Sequence, residues 1–161
     1  MIKGSPVKRC AILADPRNSE MAVTLDQARD EVQKHLDDLG IISEVFFGIP
    51  PQEIHPHPDT DIFLVLGGDG TMIFFAGPLS HLEIPFFGIN YGNVGFMMNS
   101  IKHGLLNPLK KLHEGHFSCW DFPLLEVDAH DHSGQVHHGL GLNDIYLQRM
   151  TVQTCKINVS I

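Results

Sequence analysis

The sequence predicts an α/β protein: a parallel sheet with crossover helices, followed by the start of an all-β domain. Three observations carry this. Cys10–Ala14, Ile41–Phe47, Asp61–Leu66 and Ile84–Ile89 are short, largely apolar runs, the pattern of strands covered on both faces. Helical patterns separate the first from the second and the third from the fourth, giving the order strand, helix, strand, loop, strand, helix, strand. After about Ser100 the character changes to alternating segments split by polar turns, which reads as an antiparallel meander.

Each element has a local cause. Cys10–Ala14 is ended by Asp15-Pro16-Arg17-Asn18, a turn-forming cluster. From Ser19 to Leu39, Met21, Leu25, Ala28, Val32, Leu36 and Leu39 recur at spacings of three and four, with charged residues between them. Gly40 follows, where a helix C-terminus favours a residue free to take positive φ. Gly48–Thr60 holds Pro50, Pro51, Pro56 and Pro58 and reads as a loop. Met72–Leu82 reads as a helix, and so does part of Lys102–Gly115, with Leu105, Leu109 and Leu112 on one face. Pro123–His130, the turn at Asp131–Gly134, Gln135–Arg149 and Val152–Ile161 make the meander. The division expected is an α/β nucleotide-binding domain over 1–100 and the beginning of a β-rich domain over 101–161. The chain stops inside Cys155–Ile161, so the second domain reads as incomplete and its open strand as an edge for self-association.

Composition narrows the function classes. The 161 residues carry 11 Lys+Arg against 19 Asp+Glu, a net charge of −8, which argues against a nucleic-acid partner. No apolar run is long enough to span a bilayer, and the apolar run after Arg9 is too short for a signal-peptide core. The expectation is a cytoplasmic protein. Cys10, Cys119 and Cys155 are far apart and odd in number, and read as buried or half-buried free thiols.

Gly67-Gly68-Asp69-Gly70-Thr71 is the sharpest signal. It follows an apolar strand, where ligands collect in open α/β sheets. Glycines let backbone N–H groups approach phosphate oxygens, and the following helix adds its positive end. A carboxylate there would repel phosphates unless it acts on a hydroxyl, or on Mg²⁺, beside them. The alternative is a tight turn with a helix-capping Asp. As an exposed loop carboxylate, Asp69 is expected to contribute little to packing, so that Asp69→Asn leaves the fold intact. A second glycine loop, Gly88–Phe96, follows the next strand and is expected to face the first across a cleft. There is neither a Walker A sequence nor a GxGxxG fingerprint here.

Together these segments resemble the NAD kinase family, with its GGDGT loop, GINxGxLGFL loop and later Asn-Glu pair. Gly67, Gly68, Asp69, Gly70 and Thr71 match the first loop completely. Gly88, Ile89, Asn90, Gly92, Gly95 and Phe96 match the second, with Val94 and Met97 as apolar replacements. Asn143 and Asp144 stand in place of the third motif, Asp144 being one methylene shorter than the family's Glu. The resemblance implies a Rossmann-like first domain and transfer of the ATP γ-phosphoryl to the 2′-hydroxyl of the adenosine ribose of NAD, with Mg²⁺. It implies that Asp69 is the catalytic base and that Asn143 and Asp144 bind ribose hydroxyls. The glycines, Thr71, Asn90 and Phe96 belong to the nucleotide site. It further implies a homo-oligomer in the full-length form. A later Ser/Thr-rich motif that supplies much of the family's dinucleotide pocket falls outside these residues, so this chain alone is expected to have little kinase activity.

Two rivals stand beside this reading. One is another GGDG-loop kinase, of the lipid kinase or phosphofructokinase type, although Met72-Ile73-Phe74 replaces the Asn-Glu that lipid kinases tend to place after the loop. The other is a non-catalytic nucleotide-binding fragment. His130, His132, His137 and His138 straddle one hairpin turn but match no zinc spacing, and read as a solvated hairpin, as do His55 and His57 as a solvated loop. Tyr146-Leu147 and Phe86-Phe87 read as core.

Overall fold

The computed structural model describes residues 2–16, 19–92, 95–142, 144–148, 150, 154 and 156–160. They divide into two compact units, Met1–Phe122 and Pro123–Ile161. The first unit thus continues past position 100, because the helix beyond that point packs its leucines into the first unit's core.

The first unit is built on a five-stranded sheet. A short strand, Ile2–Lys3 (β1), precedes it. Its members are Arg9–Ala14 (β2), Ile42–Phe47 (β3), Ile62–Gly67 (β4), Phe86–Asn90 (β5) and Met98–Asn99 (β6). The order is β3-β2-β4-β5-β6, every neighbouring pair parallel. The chain therefore moves one way from β2 to β3, then crosses back to build outward from β4. That reversal puts the topological switch between β2 and β4, beside whose C-terminal ends ligands bind in sheets of this kind.

The continuous apolar runs split between two cores. Cys10, Ile12 and Ala14 of β2 and Ile62, Leu64 and Leu66 of β4 face one side, with Leu25, Val32 and Leu36 of the helix Ser19–Asp38 (α1). Leu109 and Leu112 of the helix Leu106–His113 (α3) join them. Ala11 and Leu13, Phe63 and Val65 face the other side, against Met72, Phe75 and Leu79 of the helix Asp69–Leu79 (α2). Strict alternation on a sheet covered on both faces is why these strands carry almost no polar residue. Fully burying one such aliphatic side chain is worth roughly 1.5–3 kcal/mol.

Three details were not legible beforehand. β1 pairs antiparallel with Ser118–Cys119 (β7), and β6 has two residues; both are too short for a periodic signal. Pro51–Glu53 forms a 3-10 turn inside the proline-rich connection. α2 begins at Asp69, inside the glycine motif and three residues before the apolar pattern starts.

In the second unit, Leu125–His130 (β8) and Val136–Gly141 (β9) form one antiparallel hairpin with Leu125 opposite Gly141 and His130 opposite Val136. The turn is closed by Asp131, whose Oδ1 accepts the N–H groups of Ser133 at 2.8 Å and Gln135 at 3.0 Å. Among the described residues the meander goes no further, and 144–148 and 156–160 belong to no strand; Cys155 and Ile161 lie outside the described residues. Tyr146 and Leu147 are correspondingly exposed, not core. Phe86 and Phe87 do pack against the two cores of the first unit.

Candidate functional site

β4 delivers the chain to the C-terminal edge of the sheet at Gly67. There φ is +154°, and a Cβ would lie 2.9 Å from the Cβ of Thr71, so only glycine fits the turn. Gly68 is the N-cap of α2 and has no side chain with which to satisfy the first-turn N–H groups. A Cβ at Gly68 or Gly70 would meet nothing within 4 Å. Both glycines thus have room on their side-chain side, at the positive end of an 11-residue helix.

β5 lies next to β4, with Asn90 opposite Gly67, so the second loop starts at the same edge. The two loops are in direct contact. The Tyr91 N–H donates to the Gly67 carbonyl at 2.9 Å, and a Cβ on Gly92 would come within 3.7 Å of the Gly68 Cα. The Gly92 N–H donates to Asn90 Oδ1 at 2.9 Å, which folds the loop over its own strand end. Asp69 then bridges the loops. Its Oδ2 accepts the Phe96 N–H at 2.8 Å and its Oδ1 accepts the Met97 N–H at 3.0 Å. The expectation of an exposed carboxylate indifferent to packing is therefore corrected. Asp69 is half-buried, sits at the first position of α2, and ties the second loop down with both oxygens.

The model of the ATP-NAD kinase N-terminal domain matches residues 11–117. The chain belongs to the NAD kinase family. Over 103 residues, or 64% of the chain, it is 36% identical to the NAD kinase of Rickettsia bellii and 34% identical to that of Rickettsia peacockii. It spans 39% of the length of those curated relatives. Among solved structures, an NAD kinase from Archaeoglobus fulgidus in complex with ATP aligns with a TM-score of 0.49 at 23% identity, covering 74% of this chain and 40% of that one.

Within this NAD kinase family domain, Gly67, Gly68, Asp69, Gly70, Thr71, Asn90, Gly92 and Gly95 gather at one sheet edge. Phe96 is also there, the residue 93% exposed while its N–H is held. Asn143 lies outside the described residues. Asp144 belongs to the second unit and is exposed, its carbonyl oxygen 3.0 Å from where a Cβ on Gly141 would stand. Met72, Met97 and Met98 were missed as parts of the site's scaffold: apolar residues one turn or one peptide away carry no chemical signature in a sequence.

The other candidates lie elsewhere. A cavity of about 450 Å³ is lined by Pro51, Ile54, His55, His57, Leu79 and His81, among others, toward the end of α2 remote from Asp69. Its size is no reason to place chemistry there, since its walls are mainly proline and aliphatic. Burial, with Asp61 and Glu44 nearby, pushes the Cys10 thiol up to about 12, which makes it inert. Cys119 is a half-buried free thiol, and Cys155 lies outside the described residues. On the hairpin His138 Nδ1 pairs with Asp128 and His137 Nε2 with Asp131. Among the described residues no three His, Cys, Asp or Glu side chains converge on a point fit for a metal. Nor, among them, is any helix long and apolar enough to cross a membrane.

Proposed function

We propose that this chain forms the glycine-loop portion of an NAD kinase that transfers the ATP γ-phosphoryl to the 2′-hydroxyl of the adenosine ribose of NAD. The observation that carries this reading is a carboxylate fixed by two loop N–H groups at the start of a helix whose first turn is bare backbone. Phosphoryl transfer needs chiefly positioning and neutralisation of charge. The first turn of α2 offers N–H groups to phosphate oxygens, and Asp69 lies beside them. Each carboxylate oxygen has a second acceptor direction, so Asp69 can hold the loop and still accept a hydroxyl proton. The 2′-oxygen attacks the γ-phosphorus, its proton passes to Asp69, and ADP leaves with the bridging oxygen.

Mg²⁺ characteristically takes one or two carboxylates together with substrate phosphates. Asp69 suits that donor set. The ion supplies neutralisation of the phosphate charge. Asn143 and Asp144 bind the ribose hydroxyls in this proposal. A homo-oligomeric full-length form and a cytoplasmic location belong to it as well.

The test has two arms. Titration of the chain with ATP and Mg²⁺, followed by amide NMR, should move Gly68, Gly70, Thr71 and Gly92; unmoved signals at millimolar ATP would remove the basis of the reading. In any form that makes NADP from NAD and ATP, Asp69→Asn should lower turnover by roughly 10²–10⁴-fold. Near-normal turnover in that variant would reduce Asp69 to a loop clasp.

A further inference from the structure

We infer that Met98 is the positioning residue of Asp69, acting through the backbone of the second glycine loop. The inference rests on the kinase reading only for its catalytic consequence; the positioning itself is a property of the fold.

The carboxylate of Asp69 is set by two donors, the N–H groups of Phe96 and Met97. Neither donor is placed by its own side chain alone, since Phe96 is almost wholly exposed and Met97 half-buried. The next residue is different. Met98 is buried, opens the two-residue strand β6 opposite Gly88, and belongs to the core cluster that holds Met72 and Phe75 of α2. Its side chain fills the space that two glycines leave. A Cβ on Gly95 would stand 2.7 Å from the Met98 Cβ, and one on Gly88 would meet the Met98 thioether and, at 2.8 Å, the Met72 Cε. The two glycines thus form a socket, and Met98 is its plug.

Met72 is three residues after Asp69 in α2, so the two project from the same helix face. The loop is therefore fastened to that face twice, by a polar clasp at Asp69 and an apolar one at Met72 and Met98. Asn99 adds a third tie at the strand, its Nδ2 donating to the Gly88 carbonyl at 3.0 Å. Hydrogen bonds alone leave a short loop free to swing about them. A packed side chain one peptide away fixes the height and angle at which the N–H pair meets the carboxylate.

The experiment uses the 161-residue chain. Amide hydrogen exchange at Phe96 and Met97 and the ¹³C signal of the Asp69 carboxyl are compared among the parent, Met98→Ala, Met98→Leu and Phe96→Ala. Met98→Ala should speed exchange of both amides by about tenfold or more, corresponding to about 1.4 kcal/mol in the local opening. It should also shift the Asp69 carboxyl signal. Met98→Leu, which nearly conserves volume, should restore both. Phe96→Ala, which keeps the N–H and removes only an exposed ring, should change neither. Unchanged amides and carboxyl in folded Met98→Ala overturn the inference. So does a general rise in exchange across β2 and β4 in which Phe96 and Met97 do no more than share. If Met98→Ala does not fold, Met98→Val takes its place with the same criteria. None of these readouts involves turnover, so a response at Asp69 retains the positioning role even where millimolar ATP leaves the Gly68, Gly70, Thr71 and Gly92 signals unmoved, the result that removes the kinase reading.

Discussion

Replacing Asp69 by Asn exchanges one of two carboxylate oxygens for an NH₂ group while keeping the size of the side chain. In the parent, both oxygens accept loop N–H groups, from Phe96 at 2.8 Å and Met97 at 3.0 Å. The amide has one acceptor left, so one loop N–H must face another donor or turn to water. Hydrogen bonds to a charged group are worth about 1.5–3 kcal/mol each, and the surviving one becomes neutral. Water reaches this half-buried site and recovers part of the loss, which leaves a destabilisation of about 1–3 kcal/mol. For a chain of this size that lowers Tm by roughly 2–4 °C per kcal/mol. Differential scanning calorimetry on parent and variant measures it, and amide NMR locates it at residues 95–97. A variant with parental Tm and unmoved loop amides would refute the clasp. The consequence for enzymology is direct: a loss of turnover in Asp69→Asn combines lost chemistry with a displaced loop. Separating them requires the loop signals alongside the rate.

Further outcomes follow from other sites. Gly95→Ala should destabilise by about 1–3 kcal/mol in thermal melts, because its new Cβ overlaps Met98 in a filled core. Leu64→Ala, in the fully buried middle of β4, should cost about 2–5 kcal/mol by urea denaturation. Thiol labelling of the folded chain near pH 8 should modify Cys119 well before Cys10, whose pKa is pushed up to about 12 by burial. Asp131 is held below its usual range, first by the Ser133 hydroxyl and then by the N–H groups of Gln135 and Ser133. A depressed carboxylate stabilises the turn above its unfolded value and loses that contribution as pH falls through the folded one. The Ser133 and Gln135 amide signals should therefore hold steady at neutral pH and move only at acid pH, with a midpoint below the usual carboxylate range.

The parallel sheet was legible because burial on both faces forces unbroken apolar runs, and Cys10–Ala14 and Asp61–Leu66 are such runs. α1 was legible because it is long and amphipathic, with Leu25, Ala28, Val32 and Leu36 buried at helical spacing. The start of α2 was not, since Gly68, Asp69 and Gly70 have loop propensities and tertiary contacts override them. β6 escaped notice because two residues cannot show a period. The alternation in Cys155–Ile161 pointed to a strand, yet alternation only proposes a face. Among the described residues, no strand ladder includes 156–160. Of the site, the two glycine loops could be read and their contact could not, because a hydrogen bond between residues 27 apart leaves no mark on either segment.

That contact also removes an electrostatic difficulty in the motif. An acidic residue inside a loop suited to phosphate oxygens is unfavourable while it stands alone, since like charges at close range repel more strongly where water is partly excluded. At the first position of α2, Asp69 meets the positive end of the helix, which favours a negative group by roughly 0.3–1 kcal/mol. From the opposite side the N–H dipoles of Phe96 and Met97 point at its two oxygens. The carboxylate is thus compensated by fixed backbone dipoles from α2 and from the second loop. Its remaining acceptor positions stay available beside the bare first turn at Gly68 and Gly70. The second glycine loop is then needed for Asp69 as much as for any phosphate: Gly88 and Gly95 leave the space that Met98 fills, one peptide away from the two successive N–H groups that meet the carboxylate.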